Sequence, residues 1–245
     1  MASERPVFLS AEWKYLAMLN YRVPPHLLAP HVPPGTEVDL WQGEALVSVV
    51  GFLFNRTKVF GLHWPWHTNF EEVNLRLYVR RYEDGQWKRG VAFVSEIVPR
   101  PAIAIIANAL YNEHYRYMPT RHQLQHDAER LRVDYGWKHR GHWNSMEITA
   151  DPVAVPIAEG SDAEFIFEHY WGYNALKDGR TVAYQVQHPR WLHYPVQQWQ
   201  LQLDVAGVYG EAWVPWLSAA PHSVMLAHGS AVTVHRPVKW RHPVA

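Results

Sequence analysis

From Phe70 onward the chain alternates with the period of a β-strand. In NFEEVNLRLYVRRY, Phe70, Glu72, Asn74, Arg76, Tyr78 and Arg80 fall on one face, and Val73, Leu75, Leu77 and Val79 on the other. Asp84-Gly85 follows, a dipeptide suited to a tight hairpin turn, and WKRGVAFVSEIV returns as the partner strand. Set against solvent, the polar face needs no further account. Turned inward in a barrel, it projects a carboxylate, an amide and a guanidinium into one cavity, the equipment for binding a small polar ligand and moving its protons. Phe70 and Tyr78 on that face favour the interior.

The neighbouring segments extend the same pattern. YLAMLNYRV and ALVSVVGFLF read as strands, the second a near-continuous apolar run buried on both sides if it lies in mid-sheet. Between them VPPHLLAPHVPPGTEVDL predicts a helix of one to two turns, stopped at each end by Pro-Pro pairs. LRVDYGWKHRGHWNSMEITA reads as a second hairpin around Gly141, and TVAYQVQH, WQLQLDVAGVYG and SAVTVHRPVKW as further strands. Two longer helices are expected, Pro101–Tyr111 with proline at its first position and roughly Ser161–Tyr170 with Ser161 as N-cap and Glu164 three residues on. The expected fold is α+β, dominated by a mostly antiparallel barrel or sandwich, with residues 1–245 as a single domain.

Composition narrows the function. Lys+Arg and Asp+Glu number 23 each, and no basic run exceeds a pair such as Arg80-Arg81, so the footprint of a nucleic-acid binder is missing. The absence of cysteine excludes disulfides, thiolate metal sites and a cysteine nucleophile. MASERPVFLSAEW has no signal-peptide pattern, and no apolar run is long enough to span a membrane, so a cytoplasmic protein without membrane partners is expected. The 13 Trp and 13 Tyr supply large pocket walls with polar tips. Three histidine pairs (His63/His67, His122/His126 and His139/His142) have metal-like separations, yet none sits in an H-E-x-x-H frame or beside a carboxylate at a ligand offset, and no metal is expected. Nucleotide-binding glycine motifs and G-x-S-x-G are also missing, and no cofactor is expected.

A second candidate segment is EIVPRPAIAIIANALYNEHY, Glu96 to Tyr115. Pro99 and Pro101 restrict the backbone around Arg100, and a strand leading into a helix N-terminus favours an anion. The same residues suit a strand-to-helix connection with Glu96 and Arg100 paired locally. EHYWGYN and HPRW either wall a pocket or pack a tryptophan-rich core.

AEWKYLAMLNYRV, NFEEVNLRLYVRR, EIVPRPAIA, LYNEHY, EHYWGY, HPRW and LAHGSAVTVHRPVKW together resemble the YqjF-like family of uncharacterised bacterial proteins. YRVPPHLLAPHVPPGTEVD is in turn similar to a segment of acetoacetate decarboxylase, whose fold is a β-rich cone around a buried site. That resemblance implies that the Glu72 face points inward. It places Lys14 where that family has a substrate-side arginine, Glu72 close to an active-site carboxylate, and Val50 near the place of a second. The imine-forming lysine of the decarboxylase would fall just after Pro101, where this chain has Ala102-Ile103. Schiff-base chemistry is therefore not expected, and none of the six lysines adjoins another that would depress an amine.

Two functions follow. As an enzyme on a small carboxylate or carbonyl compound, the chain would use Glu72, Glu96 and His114 for acid/base work, in a decarboxylation, enolisation, hydration or isomerisation. Lys14, Asn74, Arg76, Arg100 and Tyr115 would hold the substrate, and Trp171, Tyr173 and Trp191 would wall it. As a non-catalytic binder it would use the same cavity for a metabolite. A homo-oligomer is compatible with either.

Overall fold

The computed structural model describes residues 5–64, 68–101 and 115–241. In chain order the elements begin with β1 (Val7–Val23), α1 (Pro25–Leu28), β2 (Glu37–Val38), β3 (Leu40–Trp41), β4 (Glu44–Val59), β5 (Phe70–Glu83) and β6 (Gln86–Val98). After Tyr115 come β7 (Tyr115–Tyr117), β8 (Thr120–His126), β9 (Leu131–His139), β10 (His142–Ala150), β11 (Val155–Pro156), α2 (Asp162–Phe167), β12 (Trp171–Ala175) and β13 (Arg180–Gln187). The chain then forms β14 (Leu192–Tyr194), β15 (Val196–Gln202), α3 (Val205–Tyr209), α4 (Val214–Leu217), β16 (Ser223–His235) and β17 (Val238–Arg241).

Thirteen strands form one large sheet in which β16, β1, β4, β5, β6, β12 and β13 are successive neighbours. The sheet curls until β13 meets β16 through Val186–Val234 and Gln187–Thr233, making a ring-like cone held at that join by few pairs. The long strands pair antiparallel, while β12 and β7 join β6 in parallel. Strands β15, β10, β9 and β8 form a separate sheet that covers part of the ring. The α+β, strand-rich fold expected from the sequence is the one observed.

Local chemistry explains these elements. Asp84 and Gly85 have φ of 55° and 79°, and Arg140 and Gly141 have 47° and 87°, so both hairpins turn through paired left-handed residues. Ser161 accepts from the Glu164 amide at 3.2 Å and starts α2. The helix ends at Phe167 rather than near Tyr170, because His169 turns to Asp39 and the Tyr170 amide bonds the Arg89 carbonyl. The strand expected through WQLQLDVAGVYG stops at Gln202, since Asp204 accepts from the Gly207 amide at 2.9 Å and caps α3. Of the helix expected over Pro101–Tyr111, all but Pro101 lies outside the described residues.

The ring has two apolar faces. Outside, Leu19, Val47, Val49, Leu75 and Leu77 pack against Val133, Tyr135, Trp137, Met146 and Ile148 of the four-stranded sheet. Inside, Met18, Val50, Phe52, Phe54, Phe70 and Tyr78 pack with Phe165, Ile166 and Phe167 of α2 and with Trp191. Contact between the layers depends on Gly51, since a Cβ there would lie 2.8 Å from Cδ2 and 3.0 Å from Cγ of Tyr135. Tyr135 is fully buried, and its hydroxyl donates to the Tyr15 carbonyl at 2.9 Å, so its ring has no free direction in which to yield. A Gly51→Ala substitution is expected to destabilise the fold by about 1–3 kcal/mol through overpacking. Urea denaturation checks this, and an unchanged midpoint would contradict the account of the interface.

Candidate active site on the inner face of the ring

Register assembles the site. On the inner face Asn74 of β5 stands opposite Glu96 of β6 on one side and Val50 of β4 on the other. Glu96 in turn faces Tyr115 of β7, and Val50 faces Met18 of β1. One row across the sheet therefore reads Tyr115, Glu96, Asn74, Val50, Met18, with side chains on a common face. The next row runs from Arg76 to Ser48, Asn20 and Ser223. Glu72 sits two residues before Asn74 on the same face, opposite Phe52.

Glu72, Asn74 and Glu96 are 3%, 2% and 1% exposed, so two carboxyl groups are shut away from water. Asn74 Nδ2 donates to Glu72 Oε1 at 3.0 Å, and the Tyr115 hydroxyl donates to Oε2 at 3.2 Å. Burial pushes the Glu72 carboxyl up to about 7, against the opposing pull of Asn74, Tyr115 and the nearby Arg76 charge. A carboxyl poised there exchanges protons readily at neutral pH.

Arg76 is the cation of the site. Its Nη2 meets only Met18 Sδ and the Tyr78 hydroxyl, both at 3.5 Å, and among the described residues no carboxylate lies within ion-pair distance. Its Nε and the Asn74 Oδ1 are buried without a hydrogen-bond partner among the described residues. Behind Arg76, the Tyr78 hydroxyl meets Ser48 Oγ at 2.6 Å, and Ser48 donates to Asn20 at 2.6 Å. Asn20 donates to Ser223 at 3.1 Å, so a polar chain crosses four strands inside an otherwise apolar layer.

A second buried group stands at the far end of β5. His169 Nε2 lies 3.1 Å from Asp39 Oδ2, and Arg89 Nε lies 2.6 Å from the same oxygen. Burial holds the imidazole down at about 4, so it is neutral, with its ring 4.8 Å from that of Tyr78. Asn20, Ser48, Tyr78, Asp39 and His169 were not among the expected site residues. The signals available were a serine inside an apolar strand and an asparagine inside another, both polar at positions that pattern alone assigns to core.

The structure brings together Glu72, Asn74, Arg76, Glu96 and Tyr115, and it places Trp191 in the same inner layer, its Nε1 donating to Ser230 Oγ at 2.8 Å. The other residues proposed from the sequence lie elsewhere. A bulge in β1, where Tyr15 has φ 52°, sets both Lys14 and Tyr15 on the outer face, and Lys14 Nζ lies 3.3 Å from His228 Nε2. Trp171 and Tyr173 also belong to the outer layer, with the Tyr173 hydroxyl donating to the Lys88 carbonyl at 3.0 Å. Arg100 is exposed beyond the end of β6. His114, Ala102 and Ile103 lie outside the described residues. Val50, near the expected place of a second carboxylate, is apolar as read, but Glu96 supplies a buried carboxyl from the opposite side of Asn74.

Among the described residues no group of three or more potential metal ligands occurs, and no helix is long and apolar enough to cross a membrane. Of the expected histidine pairs, His122 Nδ1 is 2.5 Å from Glu71 Oε1, and His126 Nε2 is 2.9 Å from the Pro152 carbonyl.

Comparison with known proteins agrees with this architecture. Among solved structures the chain is similar to the enduracididine biosynthesis enzyme MppR with HEPES buffer bound, at 15% identity and a TM-score of 0.65, covering 97% of this chain and 88% of that one. It is similar to acetoacetate decarboxylase from Legionella pneumophila at 12% identity and a TM-score of 0.63, with 99% and 91% covered. An acetoacetate decarboxylase-like enzyme from Sphingomonas wittichii RW1 gives 12% identity and a TM-score of 0.65, with 96% and 94% covered. At such identities the likeness establishes the fold, which is that of acetoacetate decarboxylase. The sequence has no match among curated proteins. The family described as "uncharacterized conserved protein", DUF2071, matches residues 10–231, and the chain belongs to it.

Proposed function

We propose that the inner face of the ring binds a small carboxylate bearing a carbonyl group, and that Glu72 moves a proton to or from it. The observation that carries the reading is a buried carboxyl poised near neutrality two and four residues along one strand face from an amide and a guanidinium that has no counterion among the described residues. A guanidinium left without a carboxylate partner is the natural seat of a substrate carboxylate. The unpartnered Arg76 Nε and Asn74 Oδ1 offer one donor and one acceptor to the same molecule. In the ionised form Glu72 would take a proton from the carbon beside the carbonyl. The electron pair left behind would then pass to the carbonyl oxygen as an enolate. Returning that proton to a different atom gives isomerisation, and returning it to the same carbon gives exchange with solvent. Asn74 and Tyr115 fix the orientation of the carboxyl throughout.

Support of a different kind comes from relatives of the fold, one of which, MppR, has been solved complexed with pyruvate. An imine route is not part of the reading, since Ala102 and Ile103 carry no amine and Lys14 is on the outer face. Retention of a buried carboxyl at a cost in stability favours catalysis over passive binding.

With pyruvate and a panel of related 2-oxo acids, deuterium exchange beside the carbonyl is the direct assay by NMR. Glu72→Gln is expected to lower the exchange rate by at least about 100-fold with little change in Kd, as for loss of a general base. Arg76→Met is expected to weaken binding about tenfold or more. Exchange that continues at the wild-type rate in Glu72→Gln would reject the reading.

The pH dependence has a defined sign. A general base is active when ionised, so the rate should rise with pH and level off above about 7. Stability runs the other way. The carboxyl is raised above its ordinary value of 4.5, so the folded state holds the proton more tightly than the unfolded state. The resulting stabilisation is present below pH 4.5 and is lost as pH rises to about 7. Wild type should lose about 3 kcal/mol relative to Glu72→Gln across that interval, measured by denaturation at each pH. Parallel curves for the two proteins would contradict the burial argument.

A further inference from the structure

A cleft of about 850 Å³ opens at the end of β1 and β4 remote from α1, against the turn that joins β13 to β14 and the C-terminal part of β16. That volume falls within the range of small-molecule sites. The cleft does not adjoin Glu72. Along β1 and β4 its residues, Ser10 to Glu12 and Arg56 to Lys58, come first. Trp13, Phe52 and Phe54 follow, packed edge-on at 5.5 and 5.6 Å, and only then the position of Glu72 opposite Phe52.

The charges around the cleft do not cancel. Glu12 is answered by Arg56 at 3.0 Å, whereas Lys58 has no carboxylate partner among the described residues. One cation is therefore available to an anion. Beside it, His188 is held in a defined state. Its Nδ1 lies 2.8 Å from the Pro189 carbonyl. A carbonyl oxygen can only accept, so Nδ1 carries the hydrogen and Nε2 presents a lone pair. The ring stacks on Trp191 at 4.1 Å and 17° and packs against Tyr170 at 4.7 Å, which fixes its plane. Burial lowers its pKa, in keeping with a neutral acceptor. Ala11 and Val232, both buried, provide an apolar floor.

We infer that this cleft is a second ligand site, selective for an aromatic or similarly flat carboxylate that also carries a hydroxyl donor. The carboxylate would pair with Lys58, the flat apolar body would rest on Ala11 and Val232, and the hydroxyl would donate to His188 Nε2. A cation, an apolar floor and an oriented neutral acceptor select for that combination. A simple inorganic anion would leave the floor and the imidazole unused.

The test uses 4-hydroxybenzoate and benzoate as probes on the full chain, titrated by calorimetry. One equivalent of 4-hydroxybenzoate is expected to bind, about tenfold more tightly than benzoate, as for one additional hydrogen bond to a neutral acceptor. Lys58→Glu, an exposed change that leaves the core intact, should weaken both probes at least tenfold. His188→Phe keeps a ring against Trp191 and should reduce 4-hydroxybenzoate to the affinity of benzoate. Glu72→Gln should leave both affinities unchanged, which separates this site from the one on the inner face. The inference is overturned if neither probe binds saturably, if binding survives both cleft substitutions, or if Glu72→Gln alone abolishes it.

Discussion

Strand β5 is buried on both of its faces, and the rest of the structure depends on that constraint. Its odd-numbered residues, Val73 to Val79, are covered by the four-stranded sheet, so the even-numbered ones have nowhere to point except the inside of the ring. The period of two leaves no intermediate choice, because a slip of one residue would put Glu72, Asn74 and Arg76 into the apolar interface and expel four valines and leucines. A strand that carries charged groups on one face is tolerated in the middle of a sheet only where those groups find partners or work. Asn74 and Tyr115 provide partners for Glu72, and the Ser48–Asn20–Ser223 chain satisfies Tyr78. Among the described residues Arg76 meets only Met18 and the Tyr78 hydroxyl, which leaves its charge without a carboxylate partner there.

Much of this was legible in the sequence. Alternation from Phe70 to Arg80 gives the faces, Asp84-Gly85 and Gly141 give the turns, and Ser161 gives a helix start. Information that travels between distant segments was not legible. The bulge at Tyr15 shifts the alternation by one, so that Trp13 rather than Lys14 joins Leu16 and Met18 inside, and nothing local announces a positive φ at a tyrosine. Trp171 and Tyr173 look like pocket aromatics, but the parallel pairing of β12 with β6 turns them to the outer layer. The second sheet could not be seen as separate, since its hairpin has the same pattern as those of the ring. Its contact with the ring depends on Gly51, whose meaning appears only when Tyr135 is placed against it.

The likeness to acetoacetate decarboxylase is one of architecture. The sequence resemblance puts Ala102 and Ile103 at the place of that family's imine-forming lysine, and Lys14 lies on the outer face. The interior holds two buried carboxyls on neighbouring strands, with Asn74 between them. The proposed proton transfer by Glu72 draws on this pair and on the nearby charge of Arg76, with no covalent attachment.

The protonation state of Glu72 is the point on which the account turns. Titration of its side-chain carboxyl by ¹³C NMR, with Glu72→Gln to assign the resonance, measures it in the resting protein. A midpoint near 7 is the predicted result. A midpoint at or below the ordinary value of 4.5 would mean that the carboxyl is permanently ionised and paired, and the proposed acid/base role would be contradicted.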